Sequence, residues 1–222
     1  MERAASGAAA VAGIAHGSAV AIGGEDADTL PWALVDAVRE AGLTGLHVVC
    51  SEAVLLSEPV RTLLAAGGVA RLTCAGDGGR AGGLPGEIAV RWLPPADLNE
   101  RLEAADASIA AFLAPIAPVA PAGPVGPDDD ASQPSQPSQG RAKYRREEAL
   151  RCDAALIRAV RVDSAGNLVL GSGPAGTDAR MAKAGGLTLV QTPAMDRRPL
   201  HSSEVDVPGI HVDRVLPAHA YP

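Results

Sequence analysis

Short apolar runs alternate with segments of helical periodicity along most of this chain. Residues 17–24 form an apolar run that ends in two glycines, which is typical of a buried strand. Residues 32–40 then repeat apolar positions at helical spacing, and 46–50 is the next apolar run. This succession of strand, helix and strand is the βαβ pattern. We therefore expect parallel strands joined by a right-handed crossover.

The same alternation continues to the last part of the chain. A turn at 163–167 combines Asp, Gly and Asn, residues that favour turns between strands. We expect an α/β fold, with an open, mostly parallel sheet and helices on both faces. Further helices are predicted at 60–66, 97–105, 144–151 and 179–184, and further strands at 69–74, 87–93, 153–160, 187–190 and 210–215.

Residues 115–140 interrupt this pattern with dense proline, Ser-Gln repeats and three consecutive aspartates. Because proline cannot donate to a strand ladder, we predict a loop or insert here. We therefore predict a single domain in three parts: an N-terminal part over 1–114, the insert over 115–140, and a C-terminal part over 141–222. The alternative is a proline-rich segment that docks a partner, although no aromatic or basic anchor lies among its prolines.

The composition excludes several classes of function. Hydrophobic residues make up 47% of the chain, enough for a globular core, whereas aromatic residues make up only 2%. With 19 Lys and Arg against 26 Asp and Glu, the formal net charge is −7. A chain of this charge repels phosphate backbones and has few side chains on which bases could stack, so we do not expect a nucleic-acid partner.

The cysteines and the apolar runs bear on the cellular compartment. No apolar run approaches the ~20 residues that a membrane-spanning helix needs, and the N-terminus does not resemble a secretory signal. The three cysteines, Cys50, Cys74 and Cys152, are odd in number and widely spaced. They are interpreted as buried, reduced residues rather than disulfides or a zinc site. We therefore expect a cytoplasmic protein with no membrane association.

Five segments with recognisable motifs follow one another along the chain: GSAVAIGGEDADTLP (17–31), GEIAVRWLPPADLNERLEAA (86–105), RCDAALIRAVRVDSAGNLVL (151–170), MAKAGGLTLV (181–190) and VPGIHVDRV (207–215). In this order they resemble the α-subunit, or A-subunit, of the two-subunit CoA-transferases of the 3-oxoacid type. The resemblance covers nearly the whole chain outside the insert.

This resemblance implies a ping-pong transfer of CoA. A glutamate carboxylate attacks an acyl-CoA thioester and becomes a glutamyl-CoA thioester, from which an acceptor acid takes the CoA. The glutamate belongs to a separate β-subunit, so no catalytic nucleophile is expected in this chain. The implied partners are that β-subunit, acyl-CoA and a small carboxylic or 3-oxo acid. No metal or redox cofactor is required.

The resemblance also assigns residues to the lining of a shared cleft. Gly23, Gly24 and Pro31 keep their places in the loop after the first strand, and Glu100 belongs to the family's Leu-x-Glu-Arg helix. Glycines at a strand end let the backbone approach a ligand or another subunit. The alternatives are a tight strand-to-helix turn for the glycines and a surface carboxylate for Glu100.

Several positions depart from the family's pattern. Pro95 and Ala96 stand where the family has Gln and Gly, and Pro95 offers neither a side-chain amide nor a backbone N–H to a tetrahedral oxyanion. Asp106 stands in a glycine-rich stretch of the family, and residues 175–178 replace its Arg-Asn-Phe-Asn. These departures support an alternative function, a weakened or catalytically silent subunit with an assembly or regulatory role.

Two other features are weak indications of a catalytic or binding site. Ser51-Glu52 is similar to the β-subunit's Ser-Glu nucleophile motif but lacks the Asn-Gly that follows it, so a helix cap is favoured. The glycine-rich loop with Arg80 could cradle a phosphate, although it has neither GxGxxG nor the P-loop lysine. A nucleotide- or sugar-phosphate-binding α/β protein is the alternative that such loops suggest.

Overall fold

The computed structural model of the chain describes residues 1–26, 29–79, 84, 88–115 and 144–218. The strands in these ranges are β1 (Glu2–Arg3), β2 (Ala19–Ile22), β3 (Leu46–Ser51), β4 (Val69–Ala75), β5 (Ala89–Leu93), β6 (Ala111–Pro115), β7 (Tyr144–Glu148), β8 (Ala154–Arg158), β9 (Arg161–Val162), β10 (Leu168–Val169), β11 (Thr188–Thr192) and β12 (Arg214–Pro217). The α-helices are α1 (Gly7–Val11), α2 (Trp32–Glu40), α3 (Glu52–Leu55), α4 (Glu58–Ala65), α5 (Pro95–Asp106) and α6 (Thr177–Ala184).

Eight of the strands form one open sheet in the order β1-β12-β11-β8-β2-β3-β4-β5. Every neighbouring pair in this sheet is parallel. From β2 the chain proceeds outward through β3 and β4 to β5, and it later returns to place β8 on the other side of β2. The predicted open, parallel α/β sheet is confirmed.

Helices cover both faces of the sheet, as predicted. Side chains of α1 to α4, such as Leu34 and Leu63, pack with Val48 of β3 in one core. Side chains of α5 and α6, such as Leu102, pack with Val49 of the same strand in the other. Because successive residues of a strand point to opposite faces, the continuous apolar strands of this chain are buried on both sides.

Two short antiparallel pairs lie outside the main sheet. β9 pairs with β10 across the 163–167 turn, and β6 pairs with β7 in register from Ala111 opposite Glu148 to Pro115 opposite Tyr144. The helix predicted at 144–151 is therefore wrong. Its charged residues have good helix propensity, but pairing with β6 supplies the backbone hydrogen bonds instead.

Other predictions need smaller corrections. The strand predicted at 210–215 begins only at Arg214, since Gly209–His211 forms a short 3-10 turn. The helix predicted at 97–105 begins earlier, at Pro95, with Pro94 in the capping position. The predicted insert, apart from Pro115, lies outside the described residues. Among the described residues, no helix is long and apolar enough to span a membrane.

Candidate functional site

The carboxyl ends of all eight parallel strands lie along one edge of the main sheet. Between β2 and β8 the chain reverses the direction in which it adds strands. In open α/β sheets, such a switch point leaves a crevice outside the carboxyl ends of the two strands, where ligands bind. Gly23 and Gly24 directly follow β2, so the structure places the predicted glycine pair at this position.

Gly23 allows a close approach by a side chain of another element. Its N–H continues the strand ladder by donating to the Leu156 carbonyl of β8 at 2.9 Å. A Cβ at Gly23 would lie 2.8 Å from Oδ1 of Asp178 and 3.0 Å from Cδ1 of Ile157. Any larger residue would therefore push away the Asp178 carboxylate or the β8 side chain.

The Gly24 peptide is held from two directions, an arrangement that we call the Gly24 clamp. The N–H of Gly24 donates to Oδ1 of Asp178 at 2.8 Å, and the carbonyl accepts from Oγ of Ser51 at 3.2 Å. Gly24 has φ +123°, a backbone conformation that favours glycine. The clamp joins the ends of β2 and β3 to the first turn of α6.

The side-chain carboxyl group of Asp178 has little access to water. It is 4% exposed, and burial raises the pKa of its carboxyl above the ordinary value. The negative charge of Glu25 raises the pKa further, whereas the Gly24 N–H and the Ser172 hydroxyl act in the opposite direction. The fold therefore places a protonatable group directly against the glycine turn.

Pro31 is buried at the start of α2, where it occupies the capping position. Thr29 does not cap this helix; its Oγ1 accepts from the N–H groups of Glu25 and Asp26. The side chain of Gln191 on β11 accepts from the Ala33 N–H at 2.9 Å instead. The first turn of α2 is thus capped by a residue that is distant in sequence.

Glu100 lies on α5, on the opposite face of the sheet from α2, and its side chain is exposed. Two nearby α5 residues make polar contacts with α6: Asn99 accepts from Thr177, and Glu103 pairs with Arg180. The glycine turn is held by Leu156, Asp178 and Ser51, without Glu100. The structure therefore brings Gly23 and Gly24 together with Asp178 and leaves Glu100 on the helix surface.

Arg101, the neighbour of Glu100, is the buried member of the Glu-Arg pair. It is 4% exposed, donates to the carbonyl of Glu148 at 3.0 Å and forms an ion pair with Glu147. Burial and the charge of Arg91 lower the pKa of its guanidinium, which stays charged at neutral pH. Arg101 fixes the β6–β7 hairpin to α5.

A groove of about 700 Å³ lies at the carboxyl ends of β3, β4 and β5. Ser51, at the end of β3, caps α3 by accepting from the Val54 N–H, as the cap interpretation of Ser51-Glu52 predicts. In the glycine-rich loop, the side chain of Asp77 accepts from the Gly79 N–H. Arg80 of the same loop lies outside the described residues. The residues that line the groove are Glu52, Gly76, Asp77, Trp92, Leu93, Pro94 and Pro95.

Sequence reasoning missed two residues that organise this edge, Asp178 and Gln191, and assigned no role to Arg101 of the Leu-x-Glu-Arg motif. Asp178 is 154 positions from its partner Gly24, and Gln191 is 158 positions from Ala33. Neither residue stands in a motif that indicates its partner. A weak signal existed for Asp178 alone, since an acidic residue in the first turn of a helix is common.

Comparisons with known sequences identify the family of this chain. The coenzyme A transferase family matches residues 4–218. The A-subunit of the succinyl-CoA:3-ketoacid coenzyme A transferase of Xanthomonas campestris pv. campestris is 30% identical over 94% of this chain and 85% of its own length. The mitochondrial succinyl-CoA:3-ketoacid coenzyme A transferase 2A of Mus musculus is also 30% identical, but this chain covers only 43% of it.

Solved structures that share this fold include a decarboxylase and an acyl-CoA transferase. A cysteine-to-serine variant of the decarboxylase AibA/AibB has a TM-score of 0.73 and 26% identity, over 100% of this chain and 85% of that one. The apoenzyme of the acyl-CoA transferase YdiF from Escherichia coli O157:H7 also has a TM-score of 0.73, at 21% identity, over 98% of this chain and 47% of that one. The chain belongs to the coenzyme A transferase family.

Proposed function

We propose that this chain is the α-subunit of a two-subunit CoA-transferase. The single observation that carries the proposal is the A-subunit relative from Xanthomonas campestris, which matches 94% of the chain. The partner is a separately encoded β-subunit that supplies the nucleophilic glutamate. Reactants are acyl-CoA and a small carboxylic or 3-oxo acid, and no metal or redox cofactor takes part.

The position of the glycine turn supports this proposal. Gly23 and Gly24 lie at the β2–β8 switch point, and the groove lined by Pro94 and Pro95 opens at the same edge. This edge is where a second subunit would complete a cleft. We propose that Gly23, Gly24 and Pro31 shape this chain's side of it, and that Glu100, on the helix surface, is peripheral. The cytoplasmic location stays a prediction from the three free, buried cysteines.

The exchange of CoA between purified components tests the proposal. The chain would be co-purified with the β-subunit encoded in the same genome and supplied with succinyl-CoA and acetoacetate. We expect acetoacetyl-CoA to form, and CoA to attach covalently to the β-subunit when acyl-CoA is given alone. A β-subunit with its nucleophilic glutamate replaced by alanine is the control. A stable complex that forms no product would leave an assembly or regulatory role.

A second candidate function is the decarboxylation of a CoA ester. The decarboxylase AibA/AibB shares this fold at 26% identity over the whole chain. Pro95 of the groove also has no amide where the transferase family has glutamine. The same complex would be given malonyl-CoA and glutaconyl-CoA without an acceptor acid. Release of CO₂ without CoA exchange would favour this second function over the first.

A further inference from the structure

The Gly24 clamp is built from three elements that are far apart in the sequence. Asp178 of α6 accepts from the Gly24 N–H, and Ser51 at the end of β3 donates to the Gly24 carbonyl. The N–H and the carbonyl of this one residue are thereby both fixed at the switch point. Buried backbone groups are almost always paired, and here side chains rather than a strand ladder supply the partners.

We propose that Asp178 is a positioning residue, which sets the conformation of the Gly23-Gly24 turn and through it the rate of CoA transfer. This inference rests on the proposed function for its effect on rate, but the contact itself does not depend on it. Asp178 acts through Gly24 and is not proposed to touch substrate.

The two glycines and Asp178 are interdependent. Gly24 takes φ +123°, and its N–H points to Oδ1 of Asp178. Gly23 has no side chain, and a Cβ there would come within 2.8 Å of that same oxygen. The absence of a side chain at Gly23 therefore admits the carboxylate, whereas the conformation of Gly24 directs its N–H to it.

The charges around Asp178 make the turn sensitive to pH. Glu25 follows the turn and carries like charge, and Ile157 of β8 faces Asp178 with an apolar side chain. On its own helix, Arg180 is paired with Glu103 of α5, and Asn99 of α5 accepts from Thr177 at the same end of α6. Within the described residues, Asp178 therefore forms no ion pair, and its charge is balanced only by hydrogen bonds.

Three substitutions separate the parts of this proposal. Asp178→Asn keeps an oxygen that can accept from Gly24 but removes the charge and its titration. Asp178→Ala removes the acceptor. Gly23→Ala keeps the carboxyl group but displaces it from its present position. Asp153 supplies a matched control, because its Oδ2 accepts from the Ala19 N–H at 2.7 Å at the opposite end of the same strand.

The kinetic test uses the complex with the β-subunit, in which kcat and KM for succinyl-CoA are measured between pH 5 and 9. We expect Asp178→Ala and Gly23→Ala to lower kcat by about 100-fold and to leave KM within about threefold, the loss typical of a misplaced catalytic surface. Asp178→Asn should retain kcat within about fivefold at neutral pH and should move the acidic limb of the pH profile to lower pH, where only the nucleophilic glutamate and the acceptor acid still titrate. Asp153→Ala should leave kcat and its pH dependence unchanged.

A second readout is independent of activity. With ¹⁵N-glycine labelling, the amide shift of Gly24 should titrate with the Asp178 carboxyl, at a pH above the range of an ordinary aspartate. The titration should vanish in Asp178→Asn, and amide exchange at Gly24 should accelerate in Asp178→Ala. If Asp178→Ala does not fold, the Asp178→Asn pH profile and titration decide the question alone.

The outcomes distinguish this inference from the proposed function. A wild-type complex without CoA exchange contradicts the proposed function, and the amide titration then still tests the contact. An active wild-type complex with unchanged kcat in folded Asp178→Ala and Gly23→Ala overturns the positioning role. A Gly24 amide that does not titrate, or an Asp178→Asn variant with the wild-type pH profile, also overturns it.

Discussion

The turn at 163–167 allows a quantitative test of how a buried carboxylate stabilises this fold. Asp163 is fully buried. Its Oδ1 accepts from the N–H groups of Ala165 at 2.8 Å and Asn167 at 2.9 Å. Its Oδ2 accepts from the Asn167 side-chain amide and the Leu200 N–H, both at 2.8 Å. Every one of these hydrogen bonds uses Asp163 as an acceptor, so the carboxylate matches the site and an amide does not.

Replacement of Asp163 by Asn converts one of these oxygens into a donor. In either orientation of the new amide, two of the four bonds become donor-to-donor contacts. A hydrogen bond to a charged acceptor contributes about 1.5–3 kcal/mol. Because neighbouring bonds are not fully additive, we expect Asp163→Asn to lower the free energy of unfolding by about 3–5 kcal/mol at pH 7.

The pH dependence of this loss has a definite sign. Burial alone would raise the pKa of Asp163, but the hydrogen bonds from Leu200, Asn167 and Ala165 outweigh it and hold the pKa below its ordinary value. A lowered folded-state pKa stabilises the protein above the unfolded pKa of about 3.9 and ceases to do so as the pH falls through the folded value. The difference between wild type and Asp163→Asn should therefore be constant from pH 7 to 5 and shrink below pH 4.

Urea unfolding followed by circular dichroism at pH 7, 5 and 3.5 measures this difference. Asp77→Asn is a matched control, since Asp77 is less buried and accepts from the N–H of Gly79. We expect this control to change stability by less than about 0.5 kcal/mol. A loss below about 1 kcal/mol for Asp163→Asn, or a loss of the same size at all three pH values, would refute the reasoning.

Three other buried groups carry further predictions. Arg101→Met should lower the free energy of unfolding in urea by about 1–3 kcal/mol, because Glu147 loses its buried cation and keeps only the half-exposed Arg145; an unchanged stability contradicts this. Gln191→Leu should lower the free energy of unfolding, measured in urea, by about 1 kcal/mol, because the first turn of α2 loses the side chain that accepts from its N–H. An equal or higher stability would contradict this. Burial raises the pKa of Cys152 to about 12, so a thiol reagent at pH 8 should react only after unfolding, and rapid native labelling would be inconsistent with it.

The layout of the sheet could be predicted because its signals are local. Trp32–Glu40 is helical over the same residues whose apolar spacing indicated a helix. The inner strands β2, β3, β4 and β8 coincide with apolar runs, which parallel sheets need because both faces are covered, whereas the edge strand β1, Glu2–Arg3, has no such run and was not predicted. The prediction for residues 144–148 was wrong because this strand faces solvent and, among the described residues, pairs only with β6, so its sequence contains no apolar run. The pairing partner, rather than the propensity of the segment, decided its structure.

The site was only half predictable for a related reason. A strand that ends in two glycines indicates where a turn lies, and the structure places Gly23 and Gly24 at that turn. The same pattern cannot indicate what approaches the turn, because the approaching residue, Asp178, is contributed by a helix near the other end of the chain. The expectation that the glycines open the backbone to a ligand or another subunit was therefore incomplete.

The backbone N–H groups at this edge determine whether this chain can stabilise an oxyanion in a shared cleft. Four backbone N–H groups at this edge already have acceptors. Gly23 donates to Leu156 and Gly24 to Asp178. Glu25 donates to Thr29 and Gly76 to Leu93. The prolines at 94 and 95 have no N–H to offer. A tetrahedral oxyanion in CoA transfer needs donors that are not already engaged, because those donors must point to it before the charge develops. Under the proposed function we expect the β-subunit to supply at least part of them, beside the first-turn N–H groups of α5 that follow Pro95. The described turns of this chain would then contribute shape and position to the cleft rather than oxyanion stabilisation.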